Sequence, residues 1–199
     1  MLRIVAGKHR GRKLAPLTGH HLRPTSGRAR EAVFNILAHA PFNPRPAYED
    51  ATVLDAFAGT GALGLEALSR GARFATFMER DRLARAALAA NIASLGEQRA
   101  TAVLAADALH PPRATAPANL VFLDPPYAED WAAPALIALA KAGWLLPGAL
   151  AVAELSAKRE FVAPQGFALL DERRYGAAKI VFLRYAAATE AAGEGAGRA

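Results

Sequence analysis

"LDAFAGTGALGLEALSRGA", residues 54–72, decides the fold. A short apolar stretch ends at Asp55, a glycine-rich turn follows, and a run of helix-forming residues comes next. The turn carries the pattern G-x-G-x-x-G, from Gly59 through Gly61 to Gly64. Glycines at this spacing between a strand and a helix let the main chain turn sharply and let a ligand approach it closely. The stretch therefore predicts a cofactor site at the start of an α/β unit, although the motif does not by itself identify the cofactor.

Strand and helix patterns alternate after this turn. Strands are predicted at 51–57, 74–80, 101–107, 119–125 and 148–155, helices at 62–70, 81–96 and within 131–142, and a closing pair of strands at 167–176 and 179–185. Repeated strand–helix units imply right-handed crossovers between parallel neighbours. We therefore expect an α/β fold: a Rossmann-like, seven-stranded, mostly parallel sheet with helices on both faces.

Positive charge is concentrated at the N-terminus. The first thirty residues contain no acid and eight basic residues: Arg3, Lys8, Arg10, Arg12, Lys13, Arg23, Arg28 and Arg30. The rest of the chain has 24 − 8 = 16 basic against 18 acidic residues, a charge of −2 within a total of +6. Interleaved apolar residues favour a folded phosphate-binding patch over a solvated tail. We expect a β-hairpin with strands at 2–6 and 12–15, and a helix at 23–40 capped by Thr25 or Ser26.

Length and composition bound the organisation of the chain. With 199 residues, 53% of them hydrophobic and 21% charged, it should form one main soluble domain with a small appendage. The predicted parts are a basic extension at 1–40, a proline-containing linker at 41–50, a main domain at 51–186 and a low-complexity tail at 187–199. The absence of cysteine excludes disulfides and Cys-ligated zinc. No stretch matches a signal peptide or a membrane span, so we expect a cytoplasmic protein without membrane or metal partners.

Four acids follow four consecutive predicted strands: Asp55, Glu79, Asp107 and Asp124. Because the carboxyl ends of parallel strands meet at one edge of the sheet, these acids should face one crevice. Asp55 could face a cationic amino-acid group, whereas the pyrophosphate of a dinucleotide would be repelled there. Glu79 could bind ribose hydroxyls, and Asp107 either accepts from an adenine amino group or caps a helix. The set favours S-adenosylmethionine as the cofactor.

"VFLDPPY", residues 121–127, ends the fourth strand with a carboxylate, two prolines and an aromatic ring. An exocyclic amine on a nucleobase is a weak nucleophile, because its lone pair is delocalised into the ring. Two acceptors on its two N–H groups would favour the tetrahedral nitrogen that attacks a methyl group. Asp124 can be one acceptor and the Pro125 carbonyl the other, since prolines fix its direction. Tyr127 can stack on a base withdrawn from its helix.

The last four residues resemble the [DNS]-P-P-[YFW] motif of class I amino-methyltransferases. With the segments at 3–14, 23–37, 54–72 and 175–182, the chain resembles the bacterial RsmD-type family, which methylates the N2 amine of one guanine in 16S ribosomal RNA. It departs from the family pattern at Gly27, usually an acid, and at Ala178, usually Thr. The resemblance implies a class I methyltransferase fold and three sets of site residues. They are catalytic Asp124, Pro125, Pro126 and Tyr127; cofactor-binding Asp55, Phe57, Gly59, Thr60, Gly61, Glu79, Arg80, Asp107, Ala108 and Asp124; and RNA-binding Lys8, Arg10, Arg12, Lys13, Arg23, Arg28 and Arg30.

Other functions remain open on the sequence. The amine motif would serve equally for adenine N6 in DNA or ribosomal RNA. A NAD-dependent oxidoreductase would fit the glycine turn, but little of the 199-residue chain remains for a separate substrate domain once the sheet is counted. A non-catalytic RNA-binding module would explain the basic extension and leave the four acids without a purpose. We expect a monomer acting on 16S ribosomal RNA, either naked or within an assembled or assembling small ribosomal subunit.

Overall fold

The computed structural model describes residues 2–17, 27–43, 45–126 and 130–186, including every side chain in these ranges except that of Arg28. Its elements are α1 (Gly27–His39), β1 (Thr52–Asp55), α2 (Ala62–Ser69), β2 (Phe74–Met78), α3 (Arg82–Leu95), β3 (Thr101–Leu104), β4 (Ala118–Leu123), α4 (Ala132–Lys141), β5 (Leu145–Ser156), β6 (Phe167–Tyr175) and β7 (Ala178–Tyr185). Every strand and helix predicted after residue 50 is present. The predictions for Arg23, the caps Thr25 and Ser26, Tyr127 and the tail 187–199 lie outside the described residues.

The strands form one seven-stranded sheet in the order β3-β2-β1-β4-β5-β7-β6. Neighbouring strands are parallel except at β7, which is antiparallel to both β5 and β6. The chain moves outward from β1 through β2 to β3 and then returns to place β4 on the other side of β1. The strand order therefore reverses between β1 and β4, and such a reversal opens a crevice at the carboxyl ends of the two strands.

Two cores cover the two faces of the sheet. One lies beneath α1, α2 and α3 and includes Phe34, Phe77 and Phe122. The other lies beneath α4 and includes Leu136 and Trp144. The central strands are apolar on both faces, as expected of parallel strands covered by helices. None of the helices in the described ranges is long and apolar enough to span a bilayer.

The N-terminal segment 2–17 packs on the first of these cores. Its two arms are joined by hydrogen bonds from Ile4 N–H to the Arg12 carbonyl (2.9 Å) and from Leu14 N–H to the Leu2 carbonyl (3.0 Å). The expected hairpin is therefore present, as a single antiparallel bridge instead of two regular strands. At its turn, Gly7 has φ +81, and a Cβ there would lie 1.8 Å from the Ser69 carbonyl oxygen. Only glycine permits this close approach to the end of α2.

A buried carboxylate, Glu66 of α2, holds this segment in place. Its oxygens accept hydrogen bonds from the main-chain N–H groups of Val5 (2.8 Å) and Ala6 (3.0 Å) and from Nε of Arg70 (2.8 Å). Arg30 Nε of α1 lies 3.6 Å from the same carboxylate, and neither side chain is more than 1% exposed. One charge thus joins the N-terminal segment, α1 and α2.

The burial of Arg30 contradicts the prediction that this residue binds RNA. Its guanidinium also donates to the main-chain carbonyl of Arg3, and its pKa is lowered because burial outweighs the opposing charge of Glu66. The acid-free sequence suggested an RNA contact for Arg30. Because its side chain is 1% exposed, it cannot reach an RNA phosphate, and its charge serves the interior instead.

We expect Glu66→Gln to lower the free energy of unfolding by about 3–5 kcal/mol, because it leaves the Arg30 charge buried without its partner. Urea denaturation followed by circular dichroism measures the change. Glu31→Gln, an exposed acid on α1, is the matched control and should change stability by no more than about 0.5 kcal/mol. Equal effects of the two variants would show that the buried pair is not important for stability.

Candidate active site

The glycine loop connects β1 to α2 at the carboxyl edge of the sheet. Asp55, the last residue of β1, is 1% exposed. Its Oδ2 accepts a hydrogen bond from the Gly64 N–H in the first turn of α2 (3.0 Å). Gly61 has φ +82, and a Cβ there would lie 2.3 Å from Leu88 Cδ1. Strand end, loop and helix are therefore held in one tight turn that larger residues could not form.

Burial raises the pKa of Asp55 to about 7, with the Gly64 N–H opposing the rise and the charge of Glu79 adding to it. The carboxyl is thus about half protonated at neutral pH. A cationic group bound beside it would favour its ionised form, whereas an anionic group would favour the protonated form. The environment of Asp55 therefore suits a ligand with a positive charge at this point.

Glu79 follows β2 and binds the loop from the other side. Its Oε2 accepts from the Gly59 N–H (2.8 Å) and its Oε1 from the Asp81 N–H (2.8 Å). Asp81 in turn caps α3 by accepting from the Ala84 N–H (2.8 Å). Each carboxylate oxygen of Glu79 has a second lone-pair direction in addition to the one used here. Glu79 is thus fixed in place with acceptor capacity for hydroxyl groups.

Asp107 lies three residues beyond the end of β3. Its Oδ1 accepts from the Leu109 N–H (3.0 Å), and its Oδ2 lies 3.1 Å from Arg80 Nη1. No helix follows, since residues 105–117 are irregular, so Asp107 stabilises a turn and the alternative of a helix cap is wrong. Ala108, predicted to contact the cofactor, is 2% exposed beside it.

An aromatic pair lies beside Asp107, and the sequence analysis predicted one member, Phe57, as a cofactor contact but missed the other, Trp131. Trp131, just before α4, stacks on Phe57 of the glycine loop, with ring centroids 6.4 Å apart and an interplanar angle of 17°. The guanidinium carbon of Arg80 lies 5.0 Å from the centroid of the Trp131 ring. Flat aromatic and guanidinium groups suit a planar ligand such as adenine. The position of Trp131, close after the DPPY motif, was the available signal.

Asn91 is a second residue that the sequence analysis missed. It lies on α3 and is 2% exposed. Its Nδ2 donates to the Thr60 carbonyl of the glycine loop (3.0 Å) and to the Ala15 carbonyl (3.3 Å), while its Oδ1 accepts from the Ala15 N–H (2.7 Å). The N-terminal segment and the glycine loop therefore share one buried amide. A polar residue within the apolar stripe of α3 was the only sequence signal.

The segment Asp124-Pro125-Pro126, called here the proline turn, follows β4, the strand beside β1. The Ala56 N–H donates to the Phe122 carbonyl (2.9 Å), so the ends of the two strands are bonded together. Asp124 is half-buried and Pro125 is buried. Both prolines line a pocket together with Glu154, Ser156 and Phe161. The structure thus brings the carboxylates of Asp55 and Asp124 to neighbouring strand ends at the point where the strand order reverses.

The predicted RNA-binding residues of segment 2–17 differ in their surroundings. Arg10 and Lys13 are exposed. Lys8 Nζ and His9 Nε2 lie 2.7 and 2.5 Å from Glu97 Oε1, and Arg12 donates to the Ser94 carbonyl (2.5 Å). Burial would raise the pKa of Glu97, but the hydrogen bonds from Lys8 and His9 outweigh it and hold this pKa below its usual range. These contacts fix part of the basic segment on α3 and the turn that follows it.

Comparison with known proteins covers nearly the whole chain. A family model described as Conserved hypothetical protein 95 matches residues 2–184. The Haemophilus influenzae protein named Ribosomal RNA small subunit methyltransferase D is 36% identical over 179 residues, covering 88% of this chain and 89% of the relative. The Escherichia coli K12 protein of the same name is 41% identical over 153 residues, covering 77% and 74%. A solved Escherichia coli structure has a TM-score of 0.80 at 36% identity and covers 94% of this chain and 98% of its own.

The surroundings of Asp55 predict pH-dependent binding of a cationic cofactor. With a pKa of about 7, Asp55 is mostly protonated near pH 6 and mostly ionised near pH 8, so affinity for S-adenosylmethionine should rise with pH. We expect the ratio of wild-type to Asp55→Asn affinity to increase about tenfold over this range. Calorimetry measures both proteins, and the titration of the ligand itself cancels in the ratio. A constant ratio would show that Asp55 does not contact the cationic group of the cofactor.

Proposed function

The chain belongs to the Conserved hypothetical protein 95 family, the RsmD-type family that its sequence resembled, and from this premise we propose that it methylates the exocyclic N2 amine of one guanine in 16S ribosomal RNA. Its fold is the Rossmann-like class I methyltransferase fold. It is a methyltransferase acting on ribosomal RNA, and its cofactor is S-adenosylmethionine. The choice of the guanine amine and the roles of individual residues are the proposal.

One observation supports the chemistry above all others. The turn that begins with Asp124 and the glycine loop that begins with Asp55 leave neighbouring strands at the reversal point of the sheet. An amine held at the first and a methyl donor held at the second would meet in one crevice, as ligands of open α/β sheets do. We assign donor binding to the β1 side and amine binding to the β4 side.

We assign the binding of S-adenosylmethionine to residues at the ends of the first three strands and to Trp131, just before α4. This cofactor carries an electrophilic methyl group on a sulfonium. Asp55 suits the ammonium group because it is buried and titrates near neutrality. Glu79 suits the ribose hydroxyls, since one of its oxygens is fixed by the Gly59 N–H of the loop and the other by the Asp81 N–H. Asp107, Phe57 and Trp131 suit the adenine, one as an acceptor for its amino group and two as flat surfaces.

The proline turn would activate the amine. The carboxylate of Asp124 accepts one N–H hydrogen bond and the Pro125 carbonyl accepts the other, which draws the nitrogen lone pair out of the ring. The prolines have no N–H groups that could compete for these acceptors. As the C–N bond forms, the bond from the methyl carbon to the sulfonium sulfur would break and leave a neutral thioether, and the nitrogen would then lose one proton to Asp124 or to solvent. We propose that Tyr127 stacks on the withdrawn base, although this residue lies outside the described ranges.

We also propose that the RNA is bound by residues 1–40 and the methyl is transferred by the unit at 51–186. Both relatives compared above are named for the RNA of the small ribosomal subunit. Arg10 and Lys13 are exposed on segment 2–17 and can contact phosphates, the groups that supply most of the affinity of RNA-binding proteins. Adenine N6 would be served by the same two acceptors, so the choice of base has to come from the RNA that these parts hold. Family membership favours methyl transfer over hydride transfer.

Mapping the methylated nucleotide tests the proposal directly. In cells that lack the gene, we expect one guanine of 16S ribosomal RNA to lose its N2-methyl group, as measured by mass spectrometry of nuclease fragments. Returning the gene should restore the modification. A methyl group lost from an adenine instead, or no change in 16S RNA, would contradict the proposed target.

Substitution of the acid in the turn tests the proposed chemistry. Asp124→Ala should lower the rate of methyl transfer by a factor on the order of 100 to 1,000, the usual effect of removing one preorganised group that stabilises a transition state. Cofactor affinity should stay within a few-fold of wild type. Glu49→Ala, an exposed acid in the linker, should leave both unchanged. Full activity of the Asp124→Ala variant would show that this carboxylate takes no part in methyl transfer.

A further inference from the structure

An open groove lies on the far side of the proline turn from the glycine loop. It runs between the segment 157–162, called here the β5 loop, and strands β6 and β7. Four basic residues and two acids line it: Lys158, Arg159, Arg174 and Lys179, with Glu160 and Glu172. The groove therefore carries a formal charge of 4 − 2 = +2, although the sequence after residue 30 has a net negative charge.

The groove is held together by buried contacts. Lys179, whose side chain is 3% exposed, donates from Nζ to the Arg159 carbonyl (2.8 Å) and lies 3.5 Å from Glu172 Oε2. The Ala157 N–H donates to the Ala177 carbonyl (2.9 Å). Lys179 thus fixes the β5 loop on the sheet and compensates the charge of Glu172. These contacts make the groove a defined part of the folded structure.

Two cations of the groove, Lys158 and Arg174, are exposed to solvent, where a ligand can reach them. The side chain of Arg174 is 69% exposed and its Nε lies 3.5 Å from Glu172 Oε1, a weak surface contact. Lys158 is exposed, and Val162, at the end of the β5 loop, is 82% exposed. Two cations beside an apolar residue suit the phosphates and bases of a single nucleic-acid strand.

The groove opens on one face of the sheet and the N-terminal segment packs on the other. Arg174 is paired with Lys179, and Glu172 with Val181, so these side chains share a face. Val181 belongs to the core beneath α4. Ile4 and Leu14 of the N-terminal segment belong to the opposite core. The two basic surfaces therefore flank the proline turn from opposite faces.

The groove also joins the pocket beside the proline turn. Arg159, Glu160 and Phe161 line both, and the pocket is completed by Pro125 and Pro126. A strand lying in the groove would thus lead to the place assigned to the reacting amine. A nucleotide withdrawn from its helix has a phosphate on each side, and both need a place on the protein.

We infer that this groove binds the phosphates of the RNA strand next to the target nucleotide. The inference rests on the proposed function, because it places the target at the proline turn. The N-terminal segment holds RNA on one side of the target and the groove holds it on the other. Charge complementarity and continuity with the pocket support RNA phosphate as the ligand.

The test is the double variant Lys158→Gln and Arg174→Gln, which removes two of the three exposed cations and keeps Arg159 and the buried Lys179. Binding to 16S RNA within small ribosomal subunits is measured against salt concentration. We expect affinity near 0.1 M salt to fall on the order of tenfold, and the salt slope to flatten by roughly 0.7 to 0.9 for each of the two contacts. Calorimetric affinity for S-adenosylmethionine should equal that of wild type, which verifies the fold.

The matched control is Arg113→Gln with Lys141→Gln. Both residues are exposed and lie beside the bond from Ala114 N–H to the Ala142 carbonyl (2.9 Å), near the amino ends of β4 and β5. This pair removes the same charge at the opposite edge of the sheet and should leave the slope unchanged. If both double variants match wild type, or both flatten the slope equally, the groove is not a phosphate site. The proposed function fails on a separate observation, namely if wild-type protein methylates no guanine in these particles.

Discussion

The carboxylate of Glu66 holds together the parts of this protein that come from distant regions of the sequence. It is fully buried in α2, and it binds two main-chain amides of the N-terminal segment and the guanidinium of Arg70 while lying close to that of Arg30. A buried charge of this kind is tolerated only when every neighbour is in place. The position of the basic segment is therefore coupled to the helix whose first turn binds Asp55. The surface assigned to RNA and the loop assigned to the cofactor share this one support.

Acidic and basic residues occupy different parts of the carboxyl edge of the sheet. Carboxylates lie at the ends of the four adjacent strands β3, β2, β1 and β4, where we propose that the cofactor binds with its ammonium and sulfonium groups. Apart from Arg80, which pairs with Asp107, the basic residues discussed above lie outside this row, on the N-terminal segment on one face and in the groove of the β5 loop on the other. RNA phosphates are thus attracted to both flanks and repelled from the centre. The arrangement would allow a neutral base to enter between them without drawing its backbone into the cofactor site.

Much of this organisation could be predicted from the sequence, because it depends on local patterns. The strands and helices of the sheet follow from apolar runs broken by glycine, and the row of acids follows from parallel strands ending together. Glu66, Arg30 and Asn91 could not be placed in this way. In a helical pattern Glu66 and Arg30 look like solvated surface charges, and only tertiary packing brings them together. Asp107 was predicted to end a strand, but β3 stops three residues earlier. Its side chain instead accepts a hydrogen bond within the turn that follows.

Asn91 makes the N-terminal segment an inseparable part of the catalytic unit. Its amide is shared between Ala15 and the carbonyl of Thr60 in the glycine loop, so removing the segment would leave buried polar groups unsatisfied at about 1–3 kcal/mol each. An exchange of RNA-binding arms between related enzymes would have to reproduce this main-chain geometry as well as a basic surface. An exchange of whole arms would therefore carry a stability cost in this architecture. Substitution on the exposed surface of the existing arm would leave these buried contacts intact.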